Sequence, residues 1–373
     1  MAVRPLAVAA IAALPLSLAV VSGLPQLAPT TALSLAPPGP KSSGESPPPT
    51  APPPTQAGTV LLRGLRDPTV WLGPSGIYVI TPSSISPDED TITLVRPSAG
   101  TVKAEAQLPG LLVNWSHMVL SAGSLWVTTE RPTGKASSTF ELVALGQADL
   151  RLRHRLVLAQ PAGDGLAAAG GWVWVEGGRS LLKVAPRTGR LEANVAVPAP
   201  TTAELASYGD LASNGAGTVL ASVHFGDVLD LLNPSTGAVL AHYQGEQGEG
   251  AGIAGIADGQ VFTWTGVGQE SSYQRFDIAE RKFHTVYGRG YDPLLVVSGG
   301  RFLFNAYAGY GARAKAPNYC GLAATGQPLA ALPYYADPPA GRPVGYSHGT
   351  LYYLAPTAGT TSDLDRVGLP GCR

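Results

Sequence analysis

Seven short runs of aliphatic, aromatic and β-branched residues recur along the chain, each after a turn that contains glycine. The starting positions of consecutive runs lie 41 to 49 residues apart. After Gln56 no apolar period of 3.6 residues is sustained, so the pattern predicts short strands and not amphipathic helices. The runs are Ile77–Ile80, Leu125–Val127, Trp172–Val175, Val219–Ala221, Val261–Trp264, Phe302–Phe304 and Leu351–Leu354.

Each repeat has room for four strands, with the run described above in second place. A strand of small residues precedes it, such as Gly165–Ala169, and small side chains suit an innermost strand beside a crowded axis. A third and a fourth strand follow, joined by a tight turn such as Asn233–Gly237, where proline sets φ and glycine takes the left-handed position. Repeats of this length built from short strands are typical of β-propeller blades. The sequence therefore predicts an all-β fold, a seven-bladed β-propeller of four-stranded blades.

The last repeat is too short to supply its own fourth strand. The segment Thr59–Arg63 precedes the first blade and has no other partner in the predicted scheme. We expect this N-terminal strand to complete blade seven and so close the ring without an unpaired edge.

The first residues of the chain have the pattern of an export segment. Arg4 precedes an apolar run from Leu6 to Val21, and small residues follow at 22 and 23. This pattern predicts a signal peptide, with an uncleaved N-terminal anchor as the alternative. The next segment is rich in proline and cannot bury a core, which predicts a disordered linker. The expected organisation is therefore 1–23 signal peptide or anchor, 24–57 linker and 58–373 propeller, in an extracellular or cell-envelope location.

Composition narrows the classes of partner and of metal site. The chain contains 46 Gly and 34 Pro, 14% of its residues are charged, and its formal net charge is -1. Without an excess of positive charge, neither nucleic acid nor an anionic membrane surface is an expected partner, and the membrane is expected only through the N-terminal segment. Two cysteines are too few for a cysteine-rich zinc or iron–sulfur framework.

The two cysteines fall in neighbouring repeats. Cys320 lies on the third strand of blade six, and Cys372 lies at the end of the third strand of blade seven. In an exported chain this placement favours a disulfide between them, with two independent buried thiols as the alternative.

The turns Pro186–Gly189 and Pro234–Gly237 both read Pro-x-Thr-Gly and follow strands rich in valine or aromatic residues. In this respect the chain resembles the secreted propellers of the YVTN and quinoprotein-dehydrogenase-like superfamily, which includes pyrroloquinoline quinone (PQQ) repeat proteins. The resemblance covers most of residues 59 to 373 and implies a propeller fold. Ala193 and Ala241 stand where the PQQ motif ends in tryptophan. The sequence therefore assigns no cofactor, and PQQ or a divalent cation is the alternative.

Polar residues recur in the loops that lead into the innermost strands, which ring one mouth of the central channel. Several carboxylates around one funnel would suit a cation or a positively charged ligand. Aspartate before proline or glycine is also ordinary turn chemistry, which is the competing interpretation. The candidate ligand-binding residues at this mouth are Asp67, Asn114, Asp164, Asp210, Asp292 and Arg342.

Two histidines lie in or beside predicted inner strands, His117 and His348. Propellers that resemble virginiamycin lyase or gluconolactonase would place a histidine or carboxylates with a divalent metal at the channel mouth, so these two are the candidate catalytic residues. The alternative is a surface or hydrogen-bonded core histidine. Tryptophans on second strands, including Trp126, Trp174 and Trp264, are expected to pack between blades.

The predicted function is that of an exported, non-catalytic binding module at the bacterial cell envelope or outside the cell. Its expected partner is a protein or an envelope component recognised through a loop face. The alternative is a channel-mouth enzyme of lyase, lactonase or quinoprotein-dehydrogenase-like type. The chain contains no phosphate loop or His-Glu-x-x-His motif.

Overall fold

The computed structural model describes most of the chain from residue 59 onward. The described ranges are 59–113, 118–134, 137–159, 165–177, 180–196, 208–224, 228–245, 250–267, 270–290, 294–298, 300–305, 319–331, 342–357, 360–369 and the single residue 372. Their strands form seven antiparallel sheets, which are the blades of a seven-bladed ring. The predicted all-β propeller is thus confirmed. Within these ranges no helix has the length and hydrophobicity needed to cross a membrane.

The first strand, β1 (Thr59–Arg66), belongs to the last blade, and blades 1 to 3 follow it in chain order. Blade 1 consists of β2 (Thr69–Gly73), β3 (Gly76–Pro82), β4 (Asp90–Val95) and β5 (Val102–Gln107). Blade 2 consists of β6 (Leu111–Leu112), β7 (Val119–Ser121), β8 (Ser124–Gly134), β9 (Ser137–Gly146) and β10 (Leu152–Leu158), and both β6 and β7 pair with β8. Blade 3 consists of β11 (Leu166–Ala169), β12 (Trp172–Glu176), β13 (Ser180–Ala185) and β14 (Arg190–Ala196).

Blades 4 to 7 have the same order from inner to outer strand. Blade 4 consists of β15 (Tyr208–Ser213), β16 (Leu220–His224), β17 (Val228–Leu232) and β18 (Val239–Gln244). Blade 5 consists of β19 (Gly250–Ala257), β20 (Gln260–Val267), β21 (Glu270–Asp277) and β22 (Lys282–Gly290). Blade 6 consists of β23 (Leu294–Ser298), β24 (Arg301–Asn305), β25 (Tyr319–Leu322) and β26 (Pro328–Ala331). Blade 7 consists of β27 (Arg342–Ser347), β28 (Thr350–Pro356), β29 (Thr361–Gly368) and, outermost, β1.

The antiparallel order gives the ring two distinct faces. We call the end where the inner strands begin the loop face, because the connections between blades and those between second and third strands lie there. The opposite end is the turn face, where hairpins join the first strand to the second and the third strand to the fourth.

The hydrophobic core lies between the blades. Tyr78 and Ile92 of blade 1 pack against Leu125 of blade 2, and Tyr353 of blade 7 packs against Leu303 of blade 6. Second strands contribute to both of their interfaces, which explains why they appear in the sequence as nearly continuous apolar runs. The indoles of Trp126 and Trp174 are fully buried, as expected for residues that fill these interfaces.

A hydrogen bond links each of four blades to the outer hairpin of the next blade on the turn face. In each case a side chain of one blade donates to a backbone carbonyl in the turn between the third and fourth strands of its neighbour. The bonds are Tyr78 Oη to Gln147 O at 2.6 Å, Trp174 Nε1 to Pro234 O at 3.1 Å, Arg275 Nη1 to Ala324 O at 3.2 Å and Arg366 Nη1 to Pro97 O at 2.8 Å.

Strand β1 is the outer strand of the last blade. It pairs antiparallel with β29, with Thr59 opposite Arg366 and Arg66 opposite Thr361. Two register shifts interrupt the pairing, and the N–H of Gly64 there donates to Asp363 Oδ1 at 2.8 Å.

Cys320 and Cys372 form a disulfide, as predicted. It joins β25 of blade 6 to a residue beyond the end of β29 in blade 7, and both cysteines are buried. The carbonyl of Cys372 also accepts hydrogen bonds from Tyr346 Oη at 2.5 Å and from Arg301 Nε at 3.3 Å. The end of the chain is therefore held by both blades.

Candidate functional site

The loop face is where the sequence places most of its candidate ligand-binding residues. Of these, Asp67 and Asp210 have described side chains. Asn114, His117, Asp164 and Asp292 lie outside the described residues, and for Arg342, the first residue of β27, only the backbone is described.

Asp67 lies in the short connection between β1 and β2. It has φ of 40°, and its exposed carboxylate lies 3.9 Å from Nε of Arg66. Aspartate tolerates the left-handed region better than most residues, so this position fits a turn residue.

Asp210 is buried at the start of β15 and connects two blades. Its Oδ1 accepts the N–H of Leu211 at 2.8 Å, and its Oδ2 accepts the N–H of Ile253 in the neighbouring inner strand, also at 2.8 Å. A carboxylate held by two backbone donors stabilises the contact between blades 4 and 5.

The carboxylates of Asp90 and Glu176 also accept backbone N–H groups, although the sequence around them does not predict this. Asp90 Oδ2 accepts the N–H of Leu112, which joins the third strand of blade 1 to the inner strand of blade 2 at 2.6 Å. Glu176 Oε2 accepts the N–H of Gly165 at 3.3 Å. Burial raises the pKa of the Asp90 carboxyl, and the hydrogen bond from Leu112 partly offsets this effect. These carboxylates therefore serve contacts within the fold.

His348 lies on the other face of the ring. It occupies the turn between β27 and β28, with φ of 50°, and its exposed ring places Nδ1 2.7 Å from Ser347 Oγ. Because β27 runs from Arg342 at the loop face to Ser347 at the turn face, His348 lies at the opposite end of that strand from Arg342. The two candidates do not meet at one site.

Trp264 is the tryptophan of this group that departs from the expected packing. It lies in β20 opposite Gly252 of the inner strand, close to the loop face, and 36% of the residue is exposed. Its indole covers the backbone of Gly252 so closely that a Cβ there would lie 2.3 Å from Nε1. Because Gly252 has no side chain, the indole of Trp264 can lie directly over its backbone close to the loop face.

The described part of the loop face combines buried carboxylates that accept backbone N–H groups with the partly exposed indole of Trp264 on blade 5. Across the described ranges, no three His, Cys, Asp or Glu side chains come together in a group that could hold a metal ion.

The strand order makes the protein a seven-bladed β-propeller. No family model matches the chain, and no curated protein matches it. Among solved structures 1160 chains match. One of them is the crystal structure of BamB from Moraxella catarrhalis, which is 11% identical with a TM-score of 0.48 over 82% of this chain and 95% of that chain.

Proposed function

We propose that this propeller is a non-catalytic binding module that acts outside the cytoplasmic membrane. Its partner is a protein or a cell-envelope component, which it recognises through the loop face. The observation that carries this proposal is the position of Trp264. The residue is partly exposed and lies in β20 close to the loop face. Tryptophan is enriched among the residues that dominate protein interfaces, because it buries a large area at little cost in side-chain entropy.

The lengths of the connections support the same face. The strands on either side of residues 197–207, 306–318 and 332–341 end and begin at the loop face, whereas the described hairpins of the turn face are short. Long connections between the strands of a folded scaffold are where binding functions are most often found. We include the sequence candidates Asn114, Asp164, Asp292 and Arg342 in the proposed surface.

Export is the second part of the proposal. The apolar segment within residues 1–23 predicts it, and the disulfide between Cys320 and Cys372 is of the kind that persists in oxidising compartments. His348, one of the two candidate catalytic residues, lies on the turn face and is therefore not part of the proposed loop-face surface.

The test compares Trp264→Ala with Val157→Ala, a control change at a residue of β10 that is 61% exposed and lies on an outer strand. Each variant and the wild type are used for quantitative affinity purification from an envelope extract. We expect a component that the wild type and Val157→Ala retain and that Trp264→Ala retains at least about tenfold less, as for a residue central to an interface.

The component must also be recovered chemically unchanged after incubation with the purified protein. Equal retention by Trp264→Ala and the wild type would place recognition elsewhere, and conversion of the component to a product would replace the binding module with an enzyme. Melting temperatures of the variants establish that each remains folded.

A further inference from the structure

Exposed apolar side chains recur at one position on the turn face. The position is in the outer strand just after the hairpin, opposite the end of the third strand. In blades 1, 2 and 3 the residues there are 54%, 58% and 41% exposed. They are Val102, Leu152 and Leu191, paired with Val95, Leu145 and Val184.

Blade 4 continues the series with a shift of one residue. Its equivalent position is Val239, opposite Leu232, and the next residue, Leu240, lies in the bulge and is 64% exposed. Equivalent positions in a ring of like blades lie at the same height along the ring axis. Val102, Leu152 and Leu191 therefore lie at one level on three consecutive blades, and Leu240 lies one residue beyond the equivalent position on the fourth. We call these four residues the apolar arc.

Basic residues surround the apolar arc. The exposed acidic side chains among them are Asp149 and Glu192, which lie 3.9 Å from Arg151 Nε and Arg190 Nε. The exposed basic side chains of this part of the turn face are Arg96, Lys103, Arg151, Arg153, Arg187 and Arg190.

The neighbouring blade 5 has a different charge balance on the turn face. There the acidic residues Asp258, Asp277 and Glu280 accompany Arg281 and Lys282. The formal net charge of the whole chain is -1, so acidic residues elsewhere balance the basic side chains beside the apolar arc.

The chain also enters the propeller at the turn face. Thr59, the first residue of β1, pairs with Arg366 near the turn-face end of β29, and β1 then runs toward the loop face. The first described strand therefore begins at the turn face, which also carries the apolar arc.

We propose that the apolar arc and its basic residues contact the surface of a bilayer that contains anionic phospholipids. The apolar side chains would enter the interfacial region, and the basic side chains would bind lipid phosphates. A flat bilayer explains why exposed apolar residues recur at one height on three blades and one residue further on the fourth, which an acidic protein partner would not require. One weak surface contact needs a second membrane signal to be stable, and an uncleaved N-terminal segment would supply it from the same face.

This assignment goes beyond the loop-face function proposed above and is independent of it. With the turn face on the bilayer, the loop face and Trp264 point away from the membrane and stay accessible to a partner.

The experiment measures the binding of the full chain to vesicles of phosphatidylcholine alone and of phosphatidylcholine with three-tenths phosphatidylglycerol. The test variant is Arg151→Gln/Arg153→Gln/Arg190→Gln, and the matched control is Arg63→Gln/Arg66→Gln/Arg131→Gln, which removes the same charge away from the hairpins of the turn face. Each basic side chain near an anionic surface contributes about a fivefold increase in partitioning, so we expect the test variant to bind anionic vesicles about 100-fold more weakly. The control should bind like the wild type.

The N-terminal segment contributes equally to all three proteins, so differences between them report the propeller. High salt should abolish the preference of the wild type for anionic vesicles, because it screens exposed charges. Leu152→Ser/Leu240→Ser should weaken binding to anionic vesicles without changing net charge, which provides a second variant if the triple change impairs folding.

Equal binding of anionic vesicles by the wild type and the test variant would overturn the proposal. It would also be overturned if poly-glutamate, used as a probe for an acidic protein partner, bound the wild type but not the test variant while vesicles bound neither.

Discussion

Buried carboxylates near the loop face hold neighbouring strands and blades together. Asp90 and Asp210 each accept a backbone N–H from an inner strand of the next blade. Glu141 instead binds Arg155 through two hydrogen bonds of 2.5 and 2.6 Å across blade 2. A carboxylate that satisfies a backbone donor offsets its own burial, so Asp90 and Asp210 stabilise contacts between blades, although the sequence predicts Asp210 as a ligand-binding residue.

Asp365 is a buried carboxylate with a less favourable environment. It lies in β29 opposite Tyr353, and its Oδ1 has no hydrogen-bond partner. Burial raises the pKa of its carboxyl, and nearby Asp363 adds to this, while a hydrogen bond with Tyr353 and the charge of Arg63 act in the opposite direction.

We predict that Asp365 makes the folded state less stable as the pH rises. A raised pKa means that the folded state binds the proton more tightly than the unfolded state, so stability falls from the ordinary pKa of 3.8 up to the folded value. Between pH 4 and pH 7 the wild type should lose stability that Asp365→Asn does not lose. Denaturant unfolding at both pH values measures this, with the exposed Asp67→Asn as control; a parallel pH dependence for the wild type and Asp365→Asn would refute it.

The burial of Trp126 and Trp174 could be predicted from the sequence, whereas the partial exposure of Trp264 could not. Trp126 and Trp174 lie in apolar second strands and are buried, as the runs around them predict. Trp264 lies in a similar run, but it is partly exposed, because its indole lies over Gly252 close to the loop face. Exposure at that position depends on the arrangement of two strands, which the local pattern does not contain.

At the scale of elements, the strands were predictable where they are buried on both sides. The seven second strands are confirmed because burial on both sides selects uninterrupted apolar residues over three to five positions. The inner strand of blade 2 was not predictable in detail, since it consists of two short pieces, β6 and β7, that pair with different parts of β8. No periodic signal marks such a division.

We predict that deleting residues 57–65 destabilises the whole propeller. Without β1, the outer edge of β29 loses its partner, and the buried Leu61 is removed from the cluster that contains Ile77 and Leu364. Loss of one large buried side chain alone costs about 2 to 5 kcal/mol, and the unpaired edge adds to this. The melting temperature should fall by several degrees, whereas a deletion that ends at residue 56 should leave it unchanged; equal melting of both deletions would show that β1 does not stabilise the ring.

At the scale of the whole molecule, the disulfide joins the last two blades. Cys320 and Cys372 are 52 positions apart in sequence, so their bond restricts a long loop of the unfolded chain. In the entropic model such a loop is worth about 3 to 4 kcal/mol. The Cys320→Ala/Cys372→Ala variant should therefore be less stable by about that amount, measured by denaturant unfolding without reductant. Reduction of the wild type should approach the stability of the variant, and a variant as stable as the oxidised wild type would contradict the prediction.

The two faces of the ring separate the two proposed contacts. The loop face carries the longer connections and Trp264, and the turn face carries the apolar arc with its basic residues. Neither grouping can be recognised along the chain, because Val102, Leu152, Leu191 and Leu240 are each about one repeat apart and look like ordinary strand residues.

The sequence by itself determined the number of blades, the order of strands within them and the pairing of two cysteines. These properties depend on the local alternation of apolar and polar residues, on turn residues and on the length of the repeat, all of which can be read from the linear sequence. The tertiary structure alone decided which carboxylates are engaged in blade contacts, which tryptophan remains exposed and where positive charge accumulates. These depend on distances between residues tens or hundreds of positions apart, which closure of the ring brings together.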